Sequence, residues 1–140
     1  SHHFVPKTAD YFKNYVSKLQ PYAKFIVTEI DFKKTLSCKG KVKITPDDFE
    51  QILRILLDNA IKYCDKRIVL TVDNHELVVK NDGAKIKTDD LPHVFERFYQ
   101  TDKSAEGVGL GLSIAKSLAD RNHWKLTASS GKMTSFMLQF

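Results

Sequence analysis

The chain reads as an α/β (α+β) two-layer sandwich, a mixed and mostly antiparallel sheet with helices on one face. Three observations predict it. Short runs of alternating β-branched residues come in pairs separated by turn-sized gaps, as in antiparallel hairpins. Longer stretches carry apolar residues at helical spacing. The order is α, β, β, α, β, β, α, α, β, β, in which paired strands need helices to cover one face.

The elements follow in order. "TADYFKNYVSKLQPYA", residues 8–23, places Phe12, Tyr15, Val16 and Leu19 on one helical face, and Pro21 stops it. "KFIVTEIDF" reads as a strand and "KVKI" as a short second one. "TPDDFEQILRILLDNAIKYC" is the strongest helix: Thr45 is its N-cap, Pro46 its first residue, and Asp47 and Asp48 sit in its positive first turn. "RIVLTV" and "ELVVK" flank the turn "DNH". "DDLPHVFERF", residues 89–98, reads as a short helix and "YQTDKSAEG" as a polar loop. "LGLSIAKSLADR" is a helix that starts inside a glycine-rich stretch. "WKLTASS" and "TSFMLQF" are strands around a turn at Gly131 and Lys132.

With 140 residues, 42% hydrophobic and 28% charged, the chain suits one globular domain. "SHH", residues 1–3, reads as a tag remnant, which leaves 4–140 as a single domain. No signal peptide and no membrane span are expected, since no apolar run approaches the roughly 18 residues a span needs. Cys38 and Cys64 fit neither a metal pattern nor a disulfide framework and read as reduced thiols. The net charge is +5, but the 22 basic residues form no block and no aromatic–basic repeat. The charge therefore suits one anionic ligand or an acidic partner, not nucleic acid.

Three constellations carry chemistry. In the long helix, Phe49, Ile52, Leu53, Leu56, Leu57 and Ala60 form a wide apolar surface, with Asn59 well inside the helix. Asparagine is a poor interior helix residue because its amide competes for backbone hydrogen bonds. Lys62 lies on the same face. Either both residues line a solvated edge, or the Asn59 amide oxygen ligates a hard cation while Lys62 meets a phosphate. Next, a strand runs into "NDGAKI", either an ordinary turn or a polar strand end facing a pocket, with Gly83 letting a flat ligand pass the backbone. Last, Gly107, Gly109 and Gly111 alternate ahead of a helix start. They match neither a P-loop nor a dinucleotide fingerprint. They form either a flexible loop closing on a cap or an approach to phosphate at free backbone N–H groups. No hydrolytic motif is present, and His75, His93 and His123 fall on separate elements.

Together these pieces resemble a known family. "LLDNAIKY" resembles the N-box of the ATP-binding domain of sensor histidine kinases, "NDGAKI" its first glycine box, "FERFYQTD" its F-box, "GVGLGLSIAK" its second glycine box and "MTSF" its closing strand motif. The resemblance implies the Bergerat ATP-binding fold shared with gyrase-type and mismatch-repair ATPases. It also implies an ATP and Mg²⁺ site. Asn59 would ligate Mg²⁺ and Lys62, beside Tyr63, would face the phosphates. Asn81 would accept the adenine amino group, with Gly83 and Ile86 beside the base and Thr134 anchoring it through water. Phe95, Arg97, Phe98 and Tyr99 belong to the F-box. Gly107 and Gly109 would hinge a lid, and Leu110, Gly111 and Leu112 would open a helix aimed at the phosphates.

Some positions depart from the family pattern. Asn81 stands where most members carry aspartate, which removes charge assistance from that hydrogen bond. Lys85 replaces a common second glycine, and Gln100 a frequent arginine. The lid, Gln100 to Glu106, is short. Ile55 occupies the place of the water-activating glutamate of gyrase-type relatives and cannot act as a base, which favours transfer to a protein acceptor over hydrolysis. No segment resembles the dimerisation helix, so no catalytic histidine is expected in this chain. The resemblance implies a cytoplasmic domain of a cell-membrane sensor. Its partners would be the histidine-bearing dimerisation domain of a homodimeric parent kinase and a response regulator. Two other readings stay open, a serine-protein kinase of the anti-sigma type and a degenerate nucleotide-binding module.

Overall fold

The structure, a computed structural model, describes residues 25–30, 46–72, 75–99 and 110–140. In chain order the elements are β1 (Phe25–Ile30), α1 (Pro46–Tyr63), β2 (Arg67–Val72), β3 (Glu76–Asn81), a single 3₁₀ turn (Leu91–His93), α2 (Gly111–Arg121), β4 (Lys125–Ser130) and β5 (Thr134–Gln139). The expected helix over 8–23, the strand "KVKI", the Thr45 cap and the glycines Gly107 and Gly109 lie outside the described residues.

The strands form one sheet in the order β1-β2-β3-β5-β4. β1 runs parallel to β2, and the other neighbours are antiparallel. This is the mixed, mostly antiparallel sheet that the alternation predicted. Ile68 and Leu70 of β2, Leu77 and Val79 of β3, Leu126 of β4, and Phe136 and Leu138 of β5 are buried in one core with both helices. Alternate residues of a strand share a face, so the helices cover one side of the sheet.

α1 begins at Pro46, where a missing N–H costs nothing. Its buried residues Phe49, Ile52, Leu53, Leu56, Leu57 and Ala60 recur at intervals of three and one, which is one helical stripe. At the far end of the molecule Phe49 packs edge-on against Trp124 at 6.3 Å and lies 5.7 Å from Phe140. Among the described residues no helix is long and apolar enough to cross a membrane.

Asp48 does more than complement the α1 dipole. Its carboxylate, 6% exposed, accepts hydrogen bonds from Arg121 Nε at 3.1 Å and Asn122 Nδ2 at 2.8 Å, and pairs with Arg121 Nη2. The start of α1 is thereby tied to the end of α2, so the two helices run antiparallel. Burial pushes the Asp48 carboxyl up, but the hydrogen bonds from Arg121 and Asn122 and the guanidinium charge outweigh it and leave the carboxyl below its ordinary value. A depressed folded value means stability that is present above the unfolded carboxyl's value and lost as pH falls through the folded one. Asp48→Asn is expected to cost about 1–2 kcal/mol at pH 7, since a charge-assisted pair becomes neutral. Urea denaturation at pH 7 and again below about pH 3.5 checks the sign, because the gap from wild type should shrink in acid.

The segment 89–98 corrects the sequence reading. It is not one continuous helix but a single 3₁₀ turn, Leu91–His93, within a chain of turns, with single bonds from His93 N–H to Asp90 O, Glu96 N–H to His93 O and Tyr99 N–H to Glu96 O. Phe98 adopts φ +64°, outside any right-handed helix. The Tyr99 hydroxyl donates to the Asp90 carboxylate and its ring stacks on His93 at 5.2 Å. In a straight helix residues nine apart lie about 13.5 Å apart along the axis. That closure and the helical reading exclude each other.

Candidate functional site

One end of the site is the meeting of β3 and β5. Asn81 closes β3 and sits directly across from Thr134, which opens β5. Both point to the helix-covered side, since they alternate in register with Val79 and Phe136. They are 1% and 4% exposed. The Asn81 Nδ2 donates to the Asp82 carbonyl at 2.6 Å, and no described residue donates to its Oδ1. The Thr134 hydroxyl donates to the Ala84 carbonyl at 3.2 Å. A buried amide oxygen left open at a strand end is a polar group prepared for something outside the protein.

The turn after Asn81 is fastened to the helix layer. Asp82 N–H donates to Arg67 O, and its carboxylate accepts from the N–H groups of Asp65 at 3.0 Å, Lys66 at 3.0 Å and Arg67 at 2.9 Å. Burial raises this carboxyl, but those backbone donors prevail and hold it below its ordinary value. Gly83 follows at φ +90°. A Cβ there would lie 2.4 Å from Tyr63 O and 2.8 Å from Asp65 N. Its missing side chain makes room for the end of α1. Further on, Ile86 N–H donates to Ser130 Oγ at 3.2 Å and its side chain packs on the core edge.

The other end is set by the two helices. α2 starts at Gly111, and its N-cap residue Leu110 makes no side-chain cap bond. The Ser113 hydroxyl instead donates back to Leu110 O at 2.8 Å. A helix leaves its first N–H groups without internal partners, and their dipole end is positive. Gly111 abuts Ile55, whose Cγ2 is 3.5 Å from the place of a Cβ. Because α1 and α2 are antiparallel, α1 continues past that contact. Asn59 lies one turn beyond Ile55, about 5–6 Å on the same face, and Lys62 and Tyr63 follow. Asn59 is half-buried; Lys62 is exposed, with its Nζ over the Tyr63 ring at 5.4 Å. Leu110 is half-buried, and Leu112, also half-buried, packs on the core.

The structure thus sets Gly111 beside Ile55, one turn before Asn59 on α1, and brings Asn81, Gly83 and Thr134 together at the strand end, where Tyr63 O meets the Gly83–Ala84 turn. Phe95 is half-buried and packs against the core, edge-on to Phe136 at 6.0 Å. Arg97 lies over Phe98 at 5.4 Å, and Tyr99 bonds Asp90, whose carboxylate raises the Tyr99 hydroxyl above its ordinary value. Arg97 and Tyr99 thus make these contacts with their own segment. The sequence reading missed Asp82 as an anchor, because its donors lie 15 to 17 residues away and only the fold brings them near.

Residues 44–140 match the family described as histidine kinase-, DNA gyrase B- and HSP90-like ATPase. The sensor histidine kinase YkoH of Bacillus subtilis (strain 168) is 38% identical, over 85% of this chain and 27% of its own length. The signal transduction histidine-protein kinase ArlS of Staphylococcus aureus (strain USA300) is 33% identical, over 80% and 28%. The chain thus spans little more than a quarter of these curated relatives. Among solved structures, the mycobacterial sensor histidine kinase MprB aligns with a TM-score of 0.70 at 22% identity, over 92% of this chain and 88% of that one. Full-length ShkA in complex with AMPPNP aligns with a TM-score of 0.72 at 22% identity, over 90% and 28%. On that match, together with the sheet order and the helix-covered core, the chain belongs to the histidine kinase-, DNA gyrase B- and HSP90-like ATPase family.

Proposed function

We propose that this chain binds Mg-ATP and donates the γ-phosphoryl group to a histidine on a separate dimerisation domain, as the catalytic domain of a two-component sensor histidine kinase. The observation that carries the reading is the antiparallel packing of α1 and α2. It sets the N-terminus of α2, which the Leu110 side chain does not cap, against Ile55, one turn from Asn59 and two from Lys62. A triphosphate along that line would meet backbone N–H groups, an amide oxygen and an ammonium in succession. The base would then reach the open Oδ1 of Asn81, with Thr134 beside it.

Mg²⁺ fits these residues. Among the described residues no three His, Cys, Asp or Glu side chains form a metal cluster. Magnesium commonly takes one or two protein ligands and fills its shell with waters and phosphate oxygens, so a single Asn59 oxygen suits it. When bound, the ion would neutralise charge on the phosphates. The chain's own task is positioning: the α2 N-terminus and Lys62 hold the phosphates, and Asn81 and Thr134 fix the base. The acceptor imidazole attacks Pγ with its lone pair, the bond to the bridging oxygen breaks, and ADP leaves with that electron pair. The acceptor would come from the parent kinase's dimerisation domain, in a homodimer attached to the membrane, and the phosphoryl group would pass on to a response regulator.

The chain alone is expected to bind ATP only with Mg²⁺, saturating below millimolar in calorimetry, and to release phosphate no faster than buffer. Ile55 offers no base where gyrase-type enzymes keep theirs. Absence of saturation at millimolar Mg-ATP, or phosphate release that Asn59→Ala abolishes, would overturn this reading.

A further inference from the structure

Helices packed along their length are held in axial register by side chains that interlock, ridge into groove. The seam between α1 and α2 has little to interlock. Gly111 meets Ile55, and the stripe of α2 that carries it continues at Ala115 and Ala119, each four residues on. Both alanines are fully buried in the core. Three successive positions of the stripe thus offer nothing longer than a methyl group. Leu112 and Leu118, on either edge of it, are only half-buried. Burial of apolar area opposes separation of the helices but, being non-directional, does little to stop one sliding along the other.

The stripe ends in a clamp. Asn122, three residues after Ala119, donates from Nδ2 both to the Asp48 carboxylate and to Leu118 O, each at 2.8 Å. Its neighbour Arg121 donates to the same carboxylate from Nε at 3.1 Å and pairs with it through Nη2. Asp48 therefore holds the end of α2 by two side chains, one of them fastened to the α2 backbone. Asp48 itself stands in the first turn of α1 and is 6% exposed, so it has little room to follow a shifted partner.

A short helix moves as a rod. The eleven residues of α2 set Gly111 about 15 Å from Arg121 along the axis, and a slide at the clamped end reaches the other. We infer that Asp48 is a positioning residue for phosphate binding: by clamping the C-terminal end of α2 it sets where the α2 N-terminus stands against Asn59 on α1. The inference rests on the proposed phosphate line between those two elements. It assigns the geometry of that line to a carboxylate that touches no ligand, about 16.5 Å from Asn59 along α1.

The test uses the whole chain, with Arg121→Gln, Asp48→Asn and the two combined. The Arg121 side chain is 65% exposed, so its replacement spares the core. Mg-ATP and adenosine, which carries no phosphate, are titrated by amide NMR. The double variant is expected to weaken Mg-ATP roughly three- to tenfold, the size of effect a remote residue reaches through packed elements, and to leave adenosine within about twofold. Without ligand, the amide signals of Gly111 and Leu112 should move as well, although both residues lie far from either substitution. A merely stabilising Asp48 would lower the melting temperature and leave those signals and both affinities in place, and that result overturns the inference. Equal weakening of Mg-ATP and adenosine also overturns it. Should Asp48→Asn fail to fold, Arg121→Gln alone decides, by the same signals and a loss of at least about twofold on Mg-ATP. Failure of wild type to bind Mg-ATP overturns the phosphate line and the inference together, whereas wild-type binding with unchanged variants overturns the inference alone.

Discussion

Gly83→Ala is expected to destabilise the chain by about 2–5 kcal/mol, the largest effect among the described glycines. Two costs add. The φ of +90° lies in the left-handed region, which costs an L-residue about 1–2 kcal/mol. The new Cβ would also sit 2.4 Å from Tyr63 O and 2.8 Å from Asp65 N. Both are backbone atoms at the end of α1, so no flexible side chain can swing aside. Overpacking of this kind costs about 1–3 kcal/mol more. A thermal melt should show a fall of roughly 10 °C. The damage should spread to Asn81, because the same turn carries the Asp82 carbonyl to which Asn81 donates. A melting temperature within about 2 °C of wild type would show that the turn relaxes freely and that the contact with α1 is not a constraint.

Asn59→Ala is expected to leave the fold intact and remove the magnesium dependence of ATP binding. Asn59 is half-buried on a helix whose apolar stripe lies beside it, and alanine is the better helix former by roughly 0.5 kcal/mol. Stability should hold or rise slightly. Affinity for Mg-ATP should fall roughly tenfold or more, the loss that follows removal of a group supporting a bound metal. Phosphoryl transfer to a histidine-bearing dimerisation domain supplied in trans should fall about hundredfold, because the charge on the transferring group is no longer held in place. Calorimetry with and without chelator, and radiolabel transfer from ATP, read the two effects separately. An unchanged magnesium dependence in the alanine variant would move the metal site away from α1.

α1 was legible in full where it is described, because every signal for it is local. Pro46 opens it, Asp47 and Asp48 suit its positive end, and the apolar positions recur within one or two turns. α2 and the hairpins β2–β3 and β4–β5 were legible for the same reason. The run 89–98 was misread because Leu91, Val94, Phe95 and Phe98 do keep helical spacing. The spacing lost to a left-handed Phe98, 64% exposed, and to Tyr99 closing back on Asp90. Asn59, Lys62, Asn81 and Thr134 could be singled out by type only as candidates, and it was the resemblance to a known pattern that joined them into one expected site.

By itself the sequence determined the type of both described α-helices and of each described strand, the apolar face of α1 and the family, since periodicity, caps and short motifs act over a few residues. Only the tertiary structure decided that β1 joins β2 in parallel, that β5 lies between β3 and β4, and that Asp48 ties the ends of α1 and α2 together. It also decided that Gly83 is a glycine for the sake of Tyr63, and that Asp82 is held by residues 65–67. These are contacts between residues 15 to 74 apart. Their partners carry no spacing signal, because the geometry that joins them exists only after the sheet has formed and the helices have packed on it.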